Sequence, residues 1–263
     1  MDIHFLGTGE ALTNPKRQNT CLFLAQGNDR LLIDCNSVVP SRLMEKQIDY
    51  TALEHIFLTH YHVDHIIGIV QLMKHLFIAA YLKKPEDQRR TAPMHFYGNA
   101  DTLARAKELL RLFELLDGPK ETFPRIFHEL PMTPHDFKIG SLKLRSFPTD
   151  HANMPTLGLI AQTGNGPKMI YSADTVPHLP IYDYVSDGDI LIHECNSMTL
   201  PKMWGHTTWP QLREHMKTIN PGTLYLVHLP QMSDQEESQL REQLALDYGD
   251  RLVLSRDGDT ITV

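Results

Sequence analysis

Short apolar runs set off by polar or glycine punctuation dominate both ends of the chain. In the first half, DIHFLG, TCLFLA, RLLIDC and HIFLTH are rich in β-formers and bounded by turn residues, which predicts four strands. The period then changes. From about Asp64 to Leu82, and again from Ala100 to Leu116, the apolar residues recur at helical spacing, with a strand at PMHFYG between them. The second half opens on FKIGSLKLRSFP, a hairpin turning at Gly140 and Ser141, and continues through strands at TLGLIAQTG, KMIYSAD and DILIHEC. A helix at TWPQLREHMKTI, a strand at TLYLVHL, a helix at SDQEESQLREQLALDYG and a closing pair of strands, RLVLS and DTITV, complete the chain.

Each half therefore runs from strands into strand and helix alternation. Two sheets packed face to face with helices outside bury such a pattern, which predicts an α+β, four-layer αββα sandwich. No low-complexity segment or linker separates the halves, so residues 1–263 are expected to form a single domain.

Composition narrows the function classes. No apolar run approaches the ~20 residues that span a bilayer, and MDIHFLGTGEAL lacks the basic-then-apolar layout of a secretion signal, so a cytoplasmic protein with no membrane partner is expected. Cys21, Cys35 and Cys195 are odd in number, far apart and in no CxxC pair, which argues for small core residues rather than disulfides or a thiolate zinc site. A net charge of −7 argues against a broad nucleic-acid surface, because phosphate binding draws on clustered Lys and Arg. The one dense basic stretch, KKPEDQRR, is diluted by Glu86 and Asp87. The anomaly is histidine, with 15 copies.

Three of those histidines crowd into LTHYHVDHIIGIV, at the end of an apolar strand and the start of a helix. His60 and His62 lie two apart, so in extended backbone their rings point the same way. Asp64 and His65 begin the next element and face a second point in space. One cation does not easily take all four, whereas two metals about 3.5–4 Å apart can. By comparison, the GTG of FLGTGEA is a weak dinucleotide signal, since GxGxxG is incomplete and no helical pattern follows at once.

THYHVDH resembles the HxHxDH motif of the metallo-β-lactamase superfamily, and the resemblance continues in order down the chain. FPTDHANMPTLGLI supplies His151, MIYSADT supplies Asp174 and LYLVHL supplies His228, each at the end of an apolar strand. The resemblance implies the metallo-β-lactamase fold and two divalent metal ions. His60, His62, His151 and a bridging Asp174 would hold the first; Asp64, His65, Asp174 and His228 would hold the second. Histidine and carboxylate ligation with open positions suits catalytic Zn²⁺, with Mn²⁺ or Fe as alternatives.

The opening FLGTGEALTNPKRQNTCLFL and the segment LIHECN…GHTTWPQL resemble the tRNase Z branch and the small phosphodiesterase of phosphonate breakdown. In that branch a Glu orients a His, here Glu194 in HEC and His206 in HTT. Phosphodiester hydrolysis needs a nucleophile, charge neutralisation and a proton for the leaving alkoxide. Metal-activated bridging water and a metal clamp would supply the first two, His206 the third as general acid, and Asp64 would orient the nucleophile. Thr207 or Thr208 is also a good N-cap for the helix that follows.

Two departures from the branch matter. The long arm with which tRNase Z grips transfer RNA would fall between His151 and Asp174, which here lie only 23 positions apart (151 to 174), and the Cys-rich zinc site of the phosphonate-pathway relative has no counterpart. The expected substrate is thus a small phosphodiester, a cyclic nucleotide or a short oligonucleotide, with a homodimer implied by resemblance alone. A lactonase or thioester hydrolase, an armless tRNA 3′-processing endonuclease, and an iron redox or vestigial binding protein are the competing functions. The apolar faces of LMKHLFIAAYLKK and LARAKELLRLFELL are expected to pack as core or at a subunit interface. Met198, Met203 and Trp204 either shape a substrate pocket or pack within their loop.

Overall fold

A computed structural model describes residues 1–12 and 14–263. Strands β1 (Asp2–Gly7), β2 (Cys21–Gln26) and β3 (Asp29–Ile33) lead into helix α1 (Val39–Glu45) and the short β4 (His55–Phe57). Helices α2 (Val63–Ile66) and α3 (Gly68–Leu76) follow, then β5 (Met94–Gly98), α4 (Ala100–Leu112) and β6 (Arg125–Glu129). The second half runs β7 (His135–Ile139), β8 (Leu142–His151), β9 (Met154–Gln162), β10 (Lys168–Tyr171), α5 (Leu179–Asp183), β11 (Ile190–Glu194), α6 (Trp209–His215) and β12 (Thr223–Val227). It closes with α7 (Asp234–Tyr248), β13 (Leu252–Leu254) and β14 (Thr260–Thr262).

Among the described residues these strands form two seven-stranded sheets, ordered β14-β1-β2-β3-β4-β5-β6 and β13-β12-β11-β10-β9-β8-β7. The two share one plan. Antiparallel neighbours (β14, β1, β2, β3 in one, β7 to β10 in the other) give way to parallel strands reached by helical crossovers. Parallel strands all end on the same edge, so the loops after β3, β4, β10, β11 and β12 gather together.

Three apolar clusters make the four layers. One, with Leu32, Ile56, Ile69, Leu72 and Phe96, lies between the first sheet and its helices. A second, with Phe5, Phe57, Leu144, Tyr171 and Val227, joins the sheets, and a third, with Ile170, Leu191, Leu212 and Leu244, lies under α5, α6 and α7. The α+β sandwich expected from the strand and helix pattern is the observed fold. All three cysteines are buried and free.

Several boundaries move. HIFLTH is a strand only over His55–Phe57; Leu58 still bonds to Tyr97, but Thr59 onward leaves the sheet. The helix expected over Asp64–Leu82 is divided at Ile67, and Phe77–Leu82 winds as a π-helix. Gly68 explains the division: its amide bonds to the Cys35 carbonyl, and a Cβ there would lie 1.9 Å from the Asn36 carbonyl oxygen. Val63–Leu82 is a 20-residue stretch of mean hydropathy 1.5, long and apolar enough to cross a membrane by composition, contrary to the expectation that no run approaches that length. Here it serves the core, with Ile66, Ile69, Leu72, Met73 and Leu76 buried against the first sheet. The pattern also missed β6, α1 and α5. RLVLS and DTITV do not pair with each other: β13 joins β12 in one sheet and β14 joins β1 in the other.

Candidate metal centre

The site is built at strand ends. His60 and His62 follow β4, and His62 is the extended N-cap of α2, which places Asp64 and His65 in that helix's first turn. His151 is the last residue of β8, Asp174 comes three residues after β10, Glu194 ends β11 and His228 follows β12. Asp34, Ala152, Ala173 and His228, four of the seven described non-glycine residues with positive φ, sit at or beside these positions. Left-handed backbone costs a side-chain-bearing residue about 1 kcal/mol or more, and such positions gather where geometry is imposed by a site.

Three overlapping groups of side chains converge among the described residues: His60, His62, His151 and Asp174; Asp64, His65 and His228; and Asp174, His206 and His228. In the first, His62 Nδ1 lies 3.0 Å from His60 Nε2 and 3.1 Å from His151 Nε2. In the second, His65 Nε2 lies 3.2 Å from Asp64 Oδ2, and His228 Nε2 lies 3.8 Å from the same oxygen. Asp174 Oδ2 stands between the first and second groups, 3.2 Å from His228, 3.4 Å from His65, 3.7 Å from His60 and 3.9 Å from His151. Every site residue expected from the sequence as a ligand is in this cluster.

The residues fit bound divalent cations. Three imidazole nitrogens about 3 Å apart match the roughly 3.3 Å edge of a tetrahedron with Zn–N bonds near 2.0–2.1 Å. His65 Nε2, His228 Nε2 and Asp174 Oδ1 are buried and make no hydrogen bond among the described residues. Buried polar atoms are otherwise nearly always paired, so orphaned ligand atoms on residues of one cluster mark a place for an ion. Burial and neighbouring His65 push His60 well below the usual imidazole range, and burial lowers His62 and His151 as well, a direction that favours neutral rings with lone pairs to donate. Burial works against the Asp174 anion, yet His228 and His65 hold it well below the usual carboxylate range.

The atoms facing away from the cluster are held too. His65 Nδ1 donates to Asp34 Oδ2 at 2.8 Å, and the same buried carboxylate accepts from the Thr59 amide and hydroxyl. Thr59 Oγ1 lies 2.9 Å from His60 Nδ1, so one carboxylate orients a ring from each of the first two groups. His151 Nδ1 donates to the Gly205 carbonyl at 2.5 Å, and the Asn196 amide lies 3.1 Å from His228 Nδ1. Accepting partners at Nδ1 fix the rings of His60, His65 and His151 and leave the opposite nitrogen for a metal, whereas the Asn196 amide donates to His228 Nδ1 and fixes that ring's orientation alone. Asp34 and Asn196 were not singled out from the sequence. The available signals were an aspartate closing the apolar strand RLLID and an asparagine following HEC.

Glu194 and His206 meet at the edge of the cluster. His206 Nδ1 donates to Glu194 Oε1 at 2.9 Å, and this oxygen also accepts from the Thr175 and Thr207 amides. Burial pushes the Glu194 carboxyl up, while the His206 bond pulls it back. Burial likewise opposes the His206 cation, but the Glu194 carboxylate outweighs it and raises His206 to about 9. The three N–H donors converging on Oε1 stabilise the carboxylate form of Glu194, which in turn favours the protonated His206 ring. The ring stacks on His228 with centroids 5.0 Å apart and lies tilted against His151 at 4.8 Å. The N-cap of α6 is Thr208, whose amide and hydroxyl both bond to Gln211 Oε1, so His206 has no capping role.

The family described as "Anti-Pycsar protein Apyc1" matches residues 1–246. The chain belongs to the anti-Pycsar protein Apyc1 family. This family member lies in the tRNase Z-like branch of the metallo-β-lactamase superfamily. It is 24% identical to ribonuclease Z of Shouchella clausii over 288 aligned residues, covering 93% of this chain and 92% of that protein. Its fold matches the metallo-β-lactamase fold protein YhfI of Bacillus subtilis with a TM-score of 0.77 at 22% identity, over 99% of this chain and 98% of that one. The short form of human tRNase Z matches with a TM-score of 0.75 at 23% identity, over 100% and 99% of the two chains. Between His151 and Asp174 the Apyc1-family chain has only β9, a tight turn and β10, and no arm protrudes among the described residues.

Proposed function

We propose that the chain is a metal-dependent hydrolase of phosphodiesters, acting on small diesters, cyclic nucleotides or short RNA. The observation that carries this reading is the Glu194–His206 pair set against a complete two-part His and Asp cluster. Two divalent ions are proposed, the first on His60, His62, His151 and Asp174, the second on Asp64, His65, Asp174 and His228. The nitrogen and carboxylate set favours Zn²⁺, with Mn²⁺ or Fe as alternatives. When bound, such ions supply an activated water and neutralise charge on the phosphoryl oxygens.

The chain's own residues do the rest. Asp64, buried beside His65, is the carboxylate placed to orient the attacking water. His206 holds a proton through Glu194 and gives it to the leaving alkoxide; Glu194 keeps the ring's Nδ1–H fixed so that Nε2 is the donor. A lactonase or thioesterase has less need of that proton, so a buried carboxylate devoted to the His206 ring favours the phosphodiester. The short β9–β10 turn where an arm would project favours a small substrate over a transfer RNA. The reading also takes residues 1–263 as one domain. It places the chain in the cytoplasm, which its three free thiols support. A homodimer is included, for which the exposed apolar side chains of Val63, Leu112 and Phe113 offer a surface.

The test is hydrolysis of bis(p-nitrophenyl) phosphate by protein loaded with Zn²⁺ or Mn²⁺, alongside metal analysis of the same samples. About two equivalents of metal with turnover that Asp64→Ala abolishes support the proposal. A fully metallated wild type without turnover sinks it and moves the search to lactones and thioesters.

A further inference from the structure

The proposed ligands come from two different sheets. His60, His62, Asp64 and His65 come after β4 of the first sheet, whereas His151, Asp174 and His228 lie at strand ends of the second. Each proposed ion therefore bridges the sheets, and the spacing of its ligands depends on what ties one sheet to the other beside the site.

At His228 that tie consists of three hydrogen bonds. The Leu229 amide donates to the Thr8 carbonyl at 3.0 Å, and the Leu229 carbonyl accepts from the Glu10 amide at 3.1 Å. His228 donates its own amide to Thr20 Oγ1 at 3.1 Å. Thr8, Glu10 and Thr20 all belong to the stretch between β1 and β2, so the three bonds run from the first sheet to the loop after β12 in the second. Two of them join backbone to backbone. The third depends on a single side chain.

Thr20 is wholly buried, and its hydroxyl works in both directions. It donates to the Gly9 carbonyl at 3.0 Å, which leaves a lone pair for the His228 amide. His228 has φ +53°, a left-handed backbone that a side-chain-bearing residue keeps only where its surroundings impose it. A change in that backbone would swing the ring, whose Nε2 lies 3.2 Å from Asp174 Oδ2 and 3.8 Å from Asp64 Oδ2. The same ring stacks on both His65 and His206. The Asn196 amide steadies the ring at Nδ1 but does not hold the backbone.

We propose that Thr20 is a positioning residue for the second ion: its hydroxyl fixes the left-handed backbone of His228, and with it the ring that completes the set with Asp64, His65 and Asp174. The inference rests on the two-ion reading and adds to it a residue from outside the cluster. Rings of the first ion are held elsewhere, His60 by Thr59 and His151 by the Gly205 carbonyl. Loss of the Thr20 hydroxyl therefore acts on one ion, whereas a general loosening of the fold would weaken both.

The test is a Zn²⁺ titration of the metal-free full chain against a competing chelator, which separates the two equivalents. Thr20→Val removes the hydroxyl at nearly constant size, and Thr20→Ala removes it without crowding. In both, one equivalent is expected to bind roughly 10- to 100-fold more weakly, the same one that His228→Ala loses, with the other unchanged and Thr20→Ser close to wild type. Equal weakening of both equivalents, no weakening of either, or Thr20→Ser matching Thr20→Val overturns the proposal. Hydrogen exchange of the His228 amide in metal-free protein is a second readout, expected to be slow in wild type and Thr20→Ser and fast in Thr20→Val and Thr20→Ala. A wild type that takes up a single equivalent defeats the two-ion reading instead. Amide exchange then decides the role of Thr20 alone: faster exchange without the hydroxyl upholds its hold on His228, and unchanged exchange overturns it.

Discussion

Asp34 Oδ2 accepts the Nδ1–H of His65 at 2.8 Å, and through Thr59 the same carboxylate reaches His60. One buried side chain immediately after β3 thereby orients a ring in each half of the cluster. Asp34→Ala leaves His65 Nδ1 buried without its acceptor and frees the ring to turn. A loss of about 10- to 100-fold in metal affinity is expected, read by competition with a chelator; unchanged affinity would show that Asp34 only fills space.

His206→Ala removes the proposed proton donor, and its cost depends on the leaving group. For an alkoxide, such as a ribose hydroxyl, kcat should fall by roughly 10²- to 10⁴-fold. For p-nitrophenolate, which leaves readily as an anion, the loss should be far smaller. Equal losses on both substrates would mean that His206 serves binding or structure, and Glu194→Gln should follow whichever pattern His206→Ala shows.

Gly68→Ala sets helix propensity against packing. In an exposed helix the change would stabilise by about 1 kcal/mol. At Gly68 the new Cβ would meet the Asn36 carbonyl oxygen at 1.9 Å and the Cys35 carbonyl oxygen at 2.6 Å, both backbone atoms that cannot swing away. We expect a net destabilisation of about 1–3 kcal/mol in urea unfolding, with weaker metal binding because α2, which directly precedes Gly68, carries Asp64 and His65. A neutral or stabilised variant would refute the close approach.

Acid sensitivity should depend in part on Glu237. Burial pushes its carboxyl up, but Arg241 and Arg17 prevail and hold it at about 2. A folded value below the unfolded one, about 4.3, stabilises the fold above that unfolded value and is lost as pH falls toward 2. Glu237→Gln should therefore lower the denaturation midpoint at pH 7, and the gap to wild type should close between about pH 4.3 and 2. A gap that stays constant over this window would place the effect in packing instead.

The linear pattern was enough for the layers and for the crowding of His60, His62, Asp64 and His65 at one strand end, because each is encoded locally. Alternating or continuous apolar runs declare strands, and an apolar strand that ends in His or Asp declares a side chain held at a sheet edge. Hence His60, His62, Asp64 and His65 stood out by their spacing, whereas His151, Asp174, His228, Glu194 and His206 stood out through the resemblance to the metallo-β-lactamase superfamily and its tRNase Z branch.

What depended on distance in the chain was not legible. Asp34 looks like the polar end of any strand until β3 is laid parallel to β4 and its carboxylate meets Thr59 and His65. RLVLS and DTITV read as a pair, yet their partners, β12 and β1, lie in different sheets, and only the closing of both sheets decides that. Gly68 breaks a helix because Cys35 and Asn36, more than thirty residues earlier, press against it. Trp204 has the composition of a core residue and is left in water by a turn anchored on His151. Residue type and spacing set which chemistry the chain is able to hold. Which backbone carbonyl, buried carboxylate or open face each of those groups meets is a matter of long-range contact, and the tertiary structure alone decides it.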